Sequence, residues 1–559
     1  MEKEEIILEK YFGENQLEVA FKRVLMSSGR DIKDRFGIAI YKESLQKNLK
    51  ELSTSLKNKK FKPSRPFKYY QPKSYGTQRT KSVLFIEDAI IYQAIANEVA
   101  YEIFDELSER NSYVYGSVLH DEVKDGVSVL EKENAVFHFF KYYVPLFNEF
   151  TKSVNSEVSH GNINYKLETD ITGFFDSIPH SKLLITLLRL GMPEIILNIL
   201  EDCLNTWSGT RESITPGVGI PQGPAASYFF ANVLLSDLDK IMIQKGYTYY
   251  RYMDDIRVYE EEELHTYKAL IQIDKYLKGL ALSLNSKKTN VTRISKDRKS
   301  EVKKLLSVTK LYSEDELTDK IAVTDDKNIV TQEILQEDLD NNVITPEEAL
   351  PFYIKELEKL ENKIIELYNK VELIMVINGD LAAVQEMSDD IRDISFDWRQ
   401  LVRVIKSIGD IDFKNEVKMA WMSFIKHLFW NANYFSWNLS QYKLTSSDID
   451  KLDKIRDELS DYEWVGYQIL SCISNSENIE YSRLRRYYRI VSQENSQFLR
   501  LGFYQLLLKH TERSKQLYST IKDSIRREKS PYIKRALSYE IERIDMNESE
   551  AVIKYWFGI

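Results

Sequence analysis

The chain has 559 residues, 43% hydrophobic and 29% charged, with a formal net charge of -9. These values exclude a disordered chain, and no apolar run approaches the roughly 18 residues that a bilayer helix needs. At about 150 residues per domain the length implies three or four structural units rather than one core. Only two cysteines, Cys203 and Cys472, are present and far apart, which excludes a disulfide framework or a cysteine-built zinc site.

The amino terminus, Met-Glu-Lys-Glu-Glu, is acidic and lacks the basic flank and apolar run of a secretory signal, so a cytoplasmic protein is expected. Residues 1–150 read as mixed helix and loop, with helical periodicity clearest from Val83 to Leu107. Within them, residues 57–81 carry nine Lys or Arg and no acid, with Phe67, Tyr69, Tyr70 and Tyr75 interleaved. Such a stretch suits phosphates and stacked bases; a solvated basic loop is the alternative. Residues 1–300 hold 41 basic and 41 acidic side chains, against 36 and 45 beyond, so the excess negative charge lies entirely in the carboxy-terminal part.

After Asn162 the pattern changes. Tyr165 to Thr169 alternates apolar and polar residues, as a half-buried strand does, and ends at Asp170. Tyr247 to Tyr252 and Ile256 to Tyr259 are two further strand-like runs, separated by Met253-Asp254-Asp255, which predicts a hairpin with acids at its tip. If the hairpin lies beside the strand ending at Asp170, three carboxylates converge. Without a cation they would repel one another or take up protons, so the arrangement points to a divalent ion site.

From about Ser295 to Thr345 the chain is highly charged and loses periodicity, as a connection does. Tyr353, Leu357, Leu360, Ile364, Leu367, Val371 and Ile374 then form one apolar stripe of a long helix ending near Asn378-Gly379. Amphipathic segments follow at Trp398 to Ile408, Val417 to Trp430, Tyr462 to Ile473 and Gln497 to Lys509, and Ser530-Pro531 opens another helix with Ser as cap. Helices without strands predict an α-solenoid-like array, although no strict repeat period is visible. Aromatic helices around Trp421 to Trp437 are candidates for a subunit interface.

Four segments occur in a telling order: Asp170-Ile171-Thr172-Gly173-Phe174-Phe175-Asp176, Gly219 to Ser227 with Pro221-Gln222-Gly223, Tyr252-Met253-Asp254-Asp255, and Leu282 to Thr289. Together they resemble the palm motifs of reverse transcriptases. Pro72-Lys73 through Arg79, followed by Ile86-Glu87-Asp88 to Gln93, resembles the fingers segment of the same family. The resemblance spans roughly residues 60–295. It implies an α+β right-hand polymerase fingers-palm domain at 1–295, a charged connection at 296–345 and an all-α, helical-repeat (HEAT-like) domain at 346–559.

Carried over by position, the resemblance makes Asp170, Asp254 and Asp255 catalytic and metal-binding, with Ile171 lending a backbone carbonyl and Mg²⁺ as the ion, Mn²⁺ being an alternative. Phe175 falls where the family places an aromatic under the sugar, leaving no room for a 2′-hydroxyl, so dNTPs are the implied substrates. Gln222 and Gly223 would lie beside the incoming nucleotide, Lys73 and Arg79 would grip its triphosphate, and Lys288 would protonate the departing pyrophosphate. Plain core for Phe175 and a solvated lysine for Lys288 remain alternatives. Asp176 reads as a cap for the helix beginning near Pro179.

No maturase, ribonuclease H or retron signature accompanies the palm. A palm followed by helices resembles the bacterial abortive-infection, defence-associated reverse transcriptases. That resemblance implies anti-phage defence, homo-oligomers, and DNA made without a conventional template, in some members primed from a tyrosine that stays attached to the product. Thirty-five tyrosines leave the priming residue unknown. The alternatives are an RNA-templated reverse transcriptase with a partner RNA, a nucleic-acid-binding scaffold with an inactive palm, and an RNA-dependent RNA polymerase, against which Phe175 and Tyr252 weigh.

Overall fold

A computed structural model describes residues 2–27, 44–73, 77–142, 163–294, 414–427, 429–476, 479–510 and 515–534, with a few isolated positions between them. The charged connection, the stripe from Tyr353 to Ile374 and the segment Trp398 to Ile408 lie outside the described residues. Residues 1–68 with 81–301 form one compact unit, and residues 69–80 with 302–559 another.

In the first unit, helix Ile86–Glu102 is apolar nearly all round: Ile90, Ile91, Tyr92, Ala94, Ile95 and Ala96 are all fully buried. A helix of that kind must be surrounded. Helices Glu2–Phe12, Glu14–Met26, Glu194–Trp207 and Ala225–Leu234 pack around it. It starts three residues later than the periodicity predicts and ends at Glu102, with Phe104–Ser108 a separate short helix.

The basic stretch becomes a two-stranded sheet, β1 (Phe67–Pro72) and β2 (Gln78–Val83). Phe67 and Tyr69 are buried, which corrects the expectation that they stand free for bases; Tyr75 lies outside the described residues. The Lys68 ammonium is also buried, donates to the Gly209 carbonyl at 2.5 Å, and is pushed by burial down to about 8.

A four-stranded antiparallel sheet carries the acids. It comprises β3 (Tyr165–Asp170), β4 (Thr248–Tyr252), β5 (Asp255–Glu260) and β6 (Asn290–Arg293), in the order β4-β5-β3-β6. Side chains alternate between its faces. Leu167, Thr169, Ile256, Val258, Tyr249 and Arg251 point to one face and are buried. Helix Glu263–Gly279 packs on β3, β5 and β6, and helix Ser236–Gln244 on β4. Glu168, Asp170, Asp255 and Arg257 occupy the opposite face. The strand predicted from alternation and the two predicted from aromatic and β-branched runs are therefore present, with the hairpin acids beside the end of β3.

In the second unit, helix Glu463–Ser474 packs on both Ala432–Leu439 and Gln497–His510, so alternate helices touch. Phe498 stacks on Tyr467 and on Tyr69, with ring centroids 4.3 and 5.1 Å apart. Ser530 caps the following turn through its hydroxyl and carbonyl, as its Ser-Pro signature predicts. Trp421, by contrast, is fully buried against Phe424 and Phe435, so it is core and not part of an exposed aromatic face. Among the described residues, no helix is long and apolar enough to cross a membrane.

Candidate active site

Antiparallel pairing sets Asp170, the last residue of β3, directly opposite Asp255, the first of β5. Across the β4–β5 hairpin Tyr252 faces Asp255, which leaves Met253-Asp254 as a two-residue turn. Turns of that length call for positive φ, and Met253 adopts φ 54°. Asp254 is thereby presented at the sheet end, beside Asp170 and Asp255. Burial, followed by the neighbouring Asp170, pushes Asp254 up to about 6. Two neighbouring carboxyls behave this way when no cation separates them.

Basic groups hold the other acids. Lys288 donates to Asp170 Oδ2 at 2.5 Å, and that bond is the first cause raising its own ammonium above the usual range. The loop carrying Lys288 is pinned to β3: Asn285 N donates to the Asp170 carbonyl at 2.8 Å, Thr172 N to the Ser283 carbonyl at 2.9 Å, and the Thr169 and Thr289 hydroxyls meet at 2.7 Å. In that ladder Ile171 faces Leu284. Arg257, two residues along β5, reaches back to Asp255 with Nη2 at 3.2 Å from Oδ2, and its guanidinium lies over the Phe150 ring.

The structure therefore brings Asp170, Asp254 and Lys288 together, while the Asp255 carboxylate is taken up by Arg257. Among the described residues no group of three or more His, Cys, Asp or Glu is gathered tightly enough to hold a metal ion. The donors at hand still fit one. Asp170, Asp254 and the Ile171 carbonyl are hard oxygens of the kind Mg²⁺ and Mn²⁺ prefer, and a cation would have to displace the proton that the raised Asp254 carboxyl favours.

The remaining predicted residues sit as follows. Phe175 is 8% exposed, packed edge-on against Tyr228, with its backbone carbonyl accepting from Ile220 N. The Gln222 carbonyl accepts from Ser82 N at 3.0 Å, and a Cβ on Gly223, at φ 141°, would lie 3.1 Å from the Ser82 carbonyl. That close passage is what the Pro-Gln-Gly sequence supplies. Lys73 follows β1 and Arg79 lies on β2, both exposed and both within the second compact unit. Asp176 does not cap the next helix: His180–Arg189 starts after Pro179 without a side-chain cap, and Asp176 belongs to the short helix Phe174–Ser177. Sequence reading missed Arg257. An arginine two residues beyond an acid on one strand necessarily shares its face, and that spacing was the available signal.

Paired carboxylates at the ends of adjacent antiparallel strands, one on a tight turn and one beside a lysine, are the kind of donor set that nucleotidyl transfer with divalent ions calls for. Residues 117–311 match the family model described as "Reverse transcriptase (RNA-dependent DNA polymerase)". Residues 117–311 of the chain therefore match a reverse-transcriptase domain. The match includes Asp170, Phe175, Gln222, Asp254, Asp255 and Lys288 but not Lys73 or Arg79. No curated protein matches the chain at a significant level.

Solved structures similar in part include apo telomerase from Candida tropicalis, truncated from the C-terminal domain, at 13% identity over 45% of this chain and 56% of that one, with a TM-score of 0.30. Telomerase of the same organism with a TWJ fragment of telomeric RNA gives 12%, 45% of each chain and 0.27. Telomerase from Candida albicans with such a fragment gives 10%, 81% of this chain, 68% of that one and 0.30. The chain spans about half the length of the first two, and scores this low support no statement about its function.

Proposed function

We propose that the chain joins deoxynucleotides by a two-metal-ion mechanism at Asp170 and Asp254, and that it does so in anti-phage defence, without a conventional template and from a protein hydroxyl. The observation that carries the polymerase reading is the pairing of Asp170 opposite Asp255 at the end of the four-stranded sheet, with Asp254 in the two-residue turn beside them. When bound, the ions would lower the barrier to attack on the α-phosphate by stabilising the attacking and leaving oxygens.

The chain's own groups divide the remaining work. Asp170 and Asp254 hold the ions, with the Ile171 carbonyl adding a donor. Asp255, held by Arg257, adds negative potential beside them. Lys288, which donates to Asp170, is the group that would give a proton to pyrophosphate were Asp170 to hold an ion instead. Phe175 bounds the sugar pocket and favours dNTPs, and Gln222 and Gly223 admit the nucleotide. The defence reading is supported by the succession of a reverse-transcriptase domain and a unit of packed helices. A second reading, RNA-templated synthesis with a partner RNA, is favoured by the description of the matched family.

The test uses purified protein with labelled dNTPs and Mg²⁺, no template or primer, beside an Asp254→Ala/Asp255→Ala control. DNA that requires the aspartates and shifts on a gel after proteolysis supports protein-primed, template-free synthesis. Product only when RNA template and primer are added replaces that reading with the templated one.

A further inference from the structure

The turn that presents Asp254 is strained, because Met253 carries a Cβ at φ 54°, a conformation that L-residues with side chains avoid. Its neighbours over-determine it. Arg251 lies on the helix-covered face of the sheet and is 0% exposed. Its Nη1 donates to the Met253 carbonyl at 3.0 Å, the backbone group inside the turn. Its other nitrogens are occupied elsewhere: Nε and Nη2 fork onto Asp239 at 2.7 and 2.6 Å, and Nη2 also meets Asn232 Oδ1 at 2.7 Å.

Asp239 is itself fully buried and held by two further donors, Arg110 Nη1 at 2.9 Å and the Tyr249 hydroxyl at 2.8 Å. From the other side the turn rests on the segment Tyr113 to Ser117. Arg251 makes two backbone bonds with that segment, its N donating to the Tyr113 carbonyl and its carbonyl accepting from Tyr115 N. A Cβ on Gly116 would lie 2.5 Å from Met253 N, so only glycine lets the two backbones meet. Asn232 Nδ2 donates to the Gly116 carbonyl and joins the two supports.

We propose that Arg251 is a positioning residue: its guanidinium, locked on Asp239, grips the Met253 carbonyl and thereby aims the Asp254 carboxylate at Asp170, so that the divalent ion is bound in register for nucleotidyl transfer. The inference rests on the polymerase reading of the site. A planar fork with five donors can satisfy Asp239, Asn232 and the turn at once, whereas an ammonium on the same stem cannot. Misplacement of a reacting group by about 1 Å costs roughly 10²-fold in rate.

The test compares full-length wild type, Arg251→Lys and Gly116→Ala by thermal unfolding, by Mn²⁺ binding followed by electron paramagnetic resonance without nucleotide, and by kcat and KM for dNTP. Asp453→Asn, in the second unit, serves as control. Both turn variants are expected to remain folded, to bind Mn²⁺ about tenfold more weakly, and to lose about 10²-fold in kcat with KM for dNTP within about threefold of wild type. Asp453→Asn should leave Mn²⁺ affinity and kcat per folded molecule unchanged.

A folded Arg251→Lys protein with wild-type Mn²⁺ affinity and kcat overturns the proposal, as does a loss of activity that merely tracks loss of folded protein. If Arg251→Lys does not fold, wild-type values for Gly116→Ala overturn it instead. A wild-type chain that incorporates no nucleotide defeats the polymerase reading, and Mn²⁺ binding then still decides whether Arg251 sets the acid pair.

Discussion

Each unit of this protein holds one buried carboxylate that gathers arginines and a tyrosine, and the two differ in what else the arginines touch. In the first unit Asp239 takes Arg251, Arg110 and the Tyr249 hydroxyl. In the second, Asp453 takes Arg456 at 2.6 Å, Arg483 at 3.2 Å, the Tyr487 hydroxyl at 2.9 Å and Arg486. The Asp453 cluster ties helix Ser446–Glu458 to helix Tyr481–Gln493 and goes no further than side chains and the Ser446 backbone. The Asp239 cluster passes through Arg251 to the backbone of the turn that carries Asp254. Identical chemistry thus serves packing in one place and aim in the other, and the deciding fact is which backbone the second arginine nitrogen reaches.

That comparison can be broken or sharpened by experiment, beginning with the site itself. Asp254→Ala should lower nucleotide incorporation by about 10³-fold or more, because a carboxylate that holds a catalytic cation contributes several kcal/mol to the barrier. Single-turnover incorporation with Mg²⁺ and dNTPs measures it; a folded variant with tenfold or smaller loss would remove Asp254 from the chemistry. Asp453→Ala should destabilise the second unit by about 3–5 kcal/mol, since three arginines lose a shared buried partner, with kcat per folded molecule unchanged. Denaturant unfolding read alongside active-site titration separates the two quantities. A fall in kcat there would show that the second cluster also acts on the reaction.

The acid pair makes a prediction about pH. Asp254 is raised to about 6, so its carboxyl keeps a proton below that value and a cation must displace it. Mn²⁺ affinity should therefore fall about tenfold per unit as pH drops below roughly 6 and level off above it. A carboxyl whose folded value is raised stabilises the cation-free fold at low pH and loses that contribution as pH rises through about 6. The gain in melting temperature on adding Mn²⁺ should accordingly be larger at pH 7.5 than at pH 5.5. An equal gain at both values would contradict the raised Asp254 carboxyl.

The smallest effect is expected at Phe175. Replacing it with alanine should relax discrimination against rNTPs by about tenfold, read as the ratio of kcat/KM values for dNTP and rNTP. Its packing against Tyr228 means some stability is lost as well. Unchanged discrimination would leave Phe175 a core residue only.

The strands of the palm were legible because apolar and polar residues alternate in β3, because β4 and β5 are runs of aromatic and β-branched residues, and because acids at strand ends have few structural uses. The β1–β2 hairpin was not. Lys68 and Lys81 are buried in its strands, so its charge pattern resembles a solvated loop. Helices Ser446–Glu458 and Tyr481–Gln493 escaped notice for a related reason: the charges of Asp453, Arg456 and Arg483 point inward and neutralise one another, which a pattern of apolar residues cannot reveal. Trp421 looked like an exposed aromatic because its partners Phe424 and Phe435 come from two different helices.

By itself the sequence determined the chemistry on offer: which acids end strands, in what order the motifs run, and that a short turn between β4 and β5 carries Asp254. Only the tertiary structure decided that Asp255 answers to Arg257, that Lys288 answers to Asp170, and that a strand residue next to the motif, Arg251, reaches the carbonyl inside its turn. Local periodicity specifies on which face of an element a residue lies. Which partner waits there depends on segments more than a hundred residues away, such as Arg110 and Gly116, that meet the hairpin only when the chain has folded.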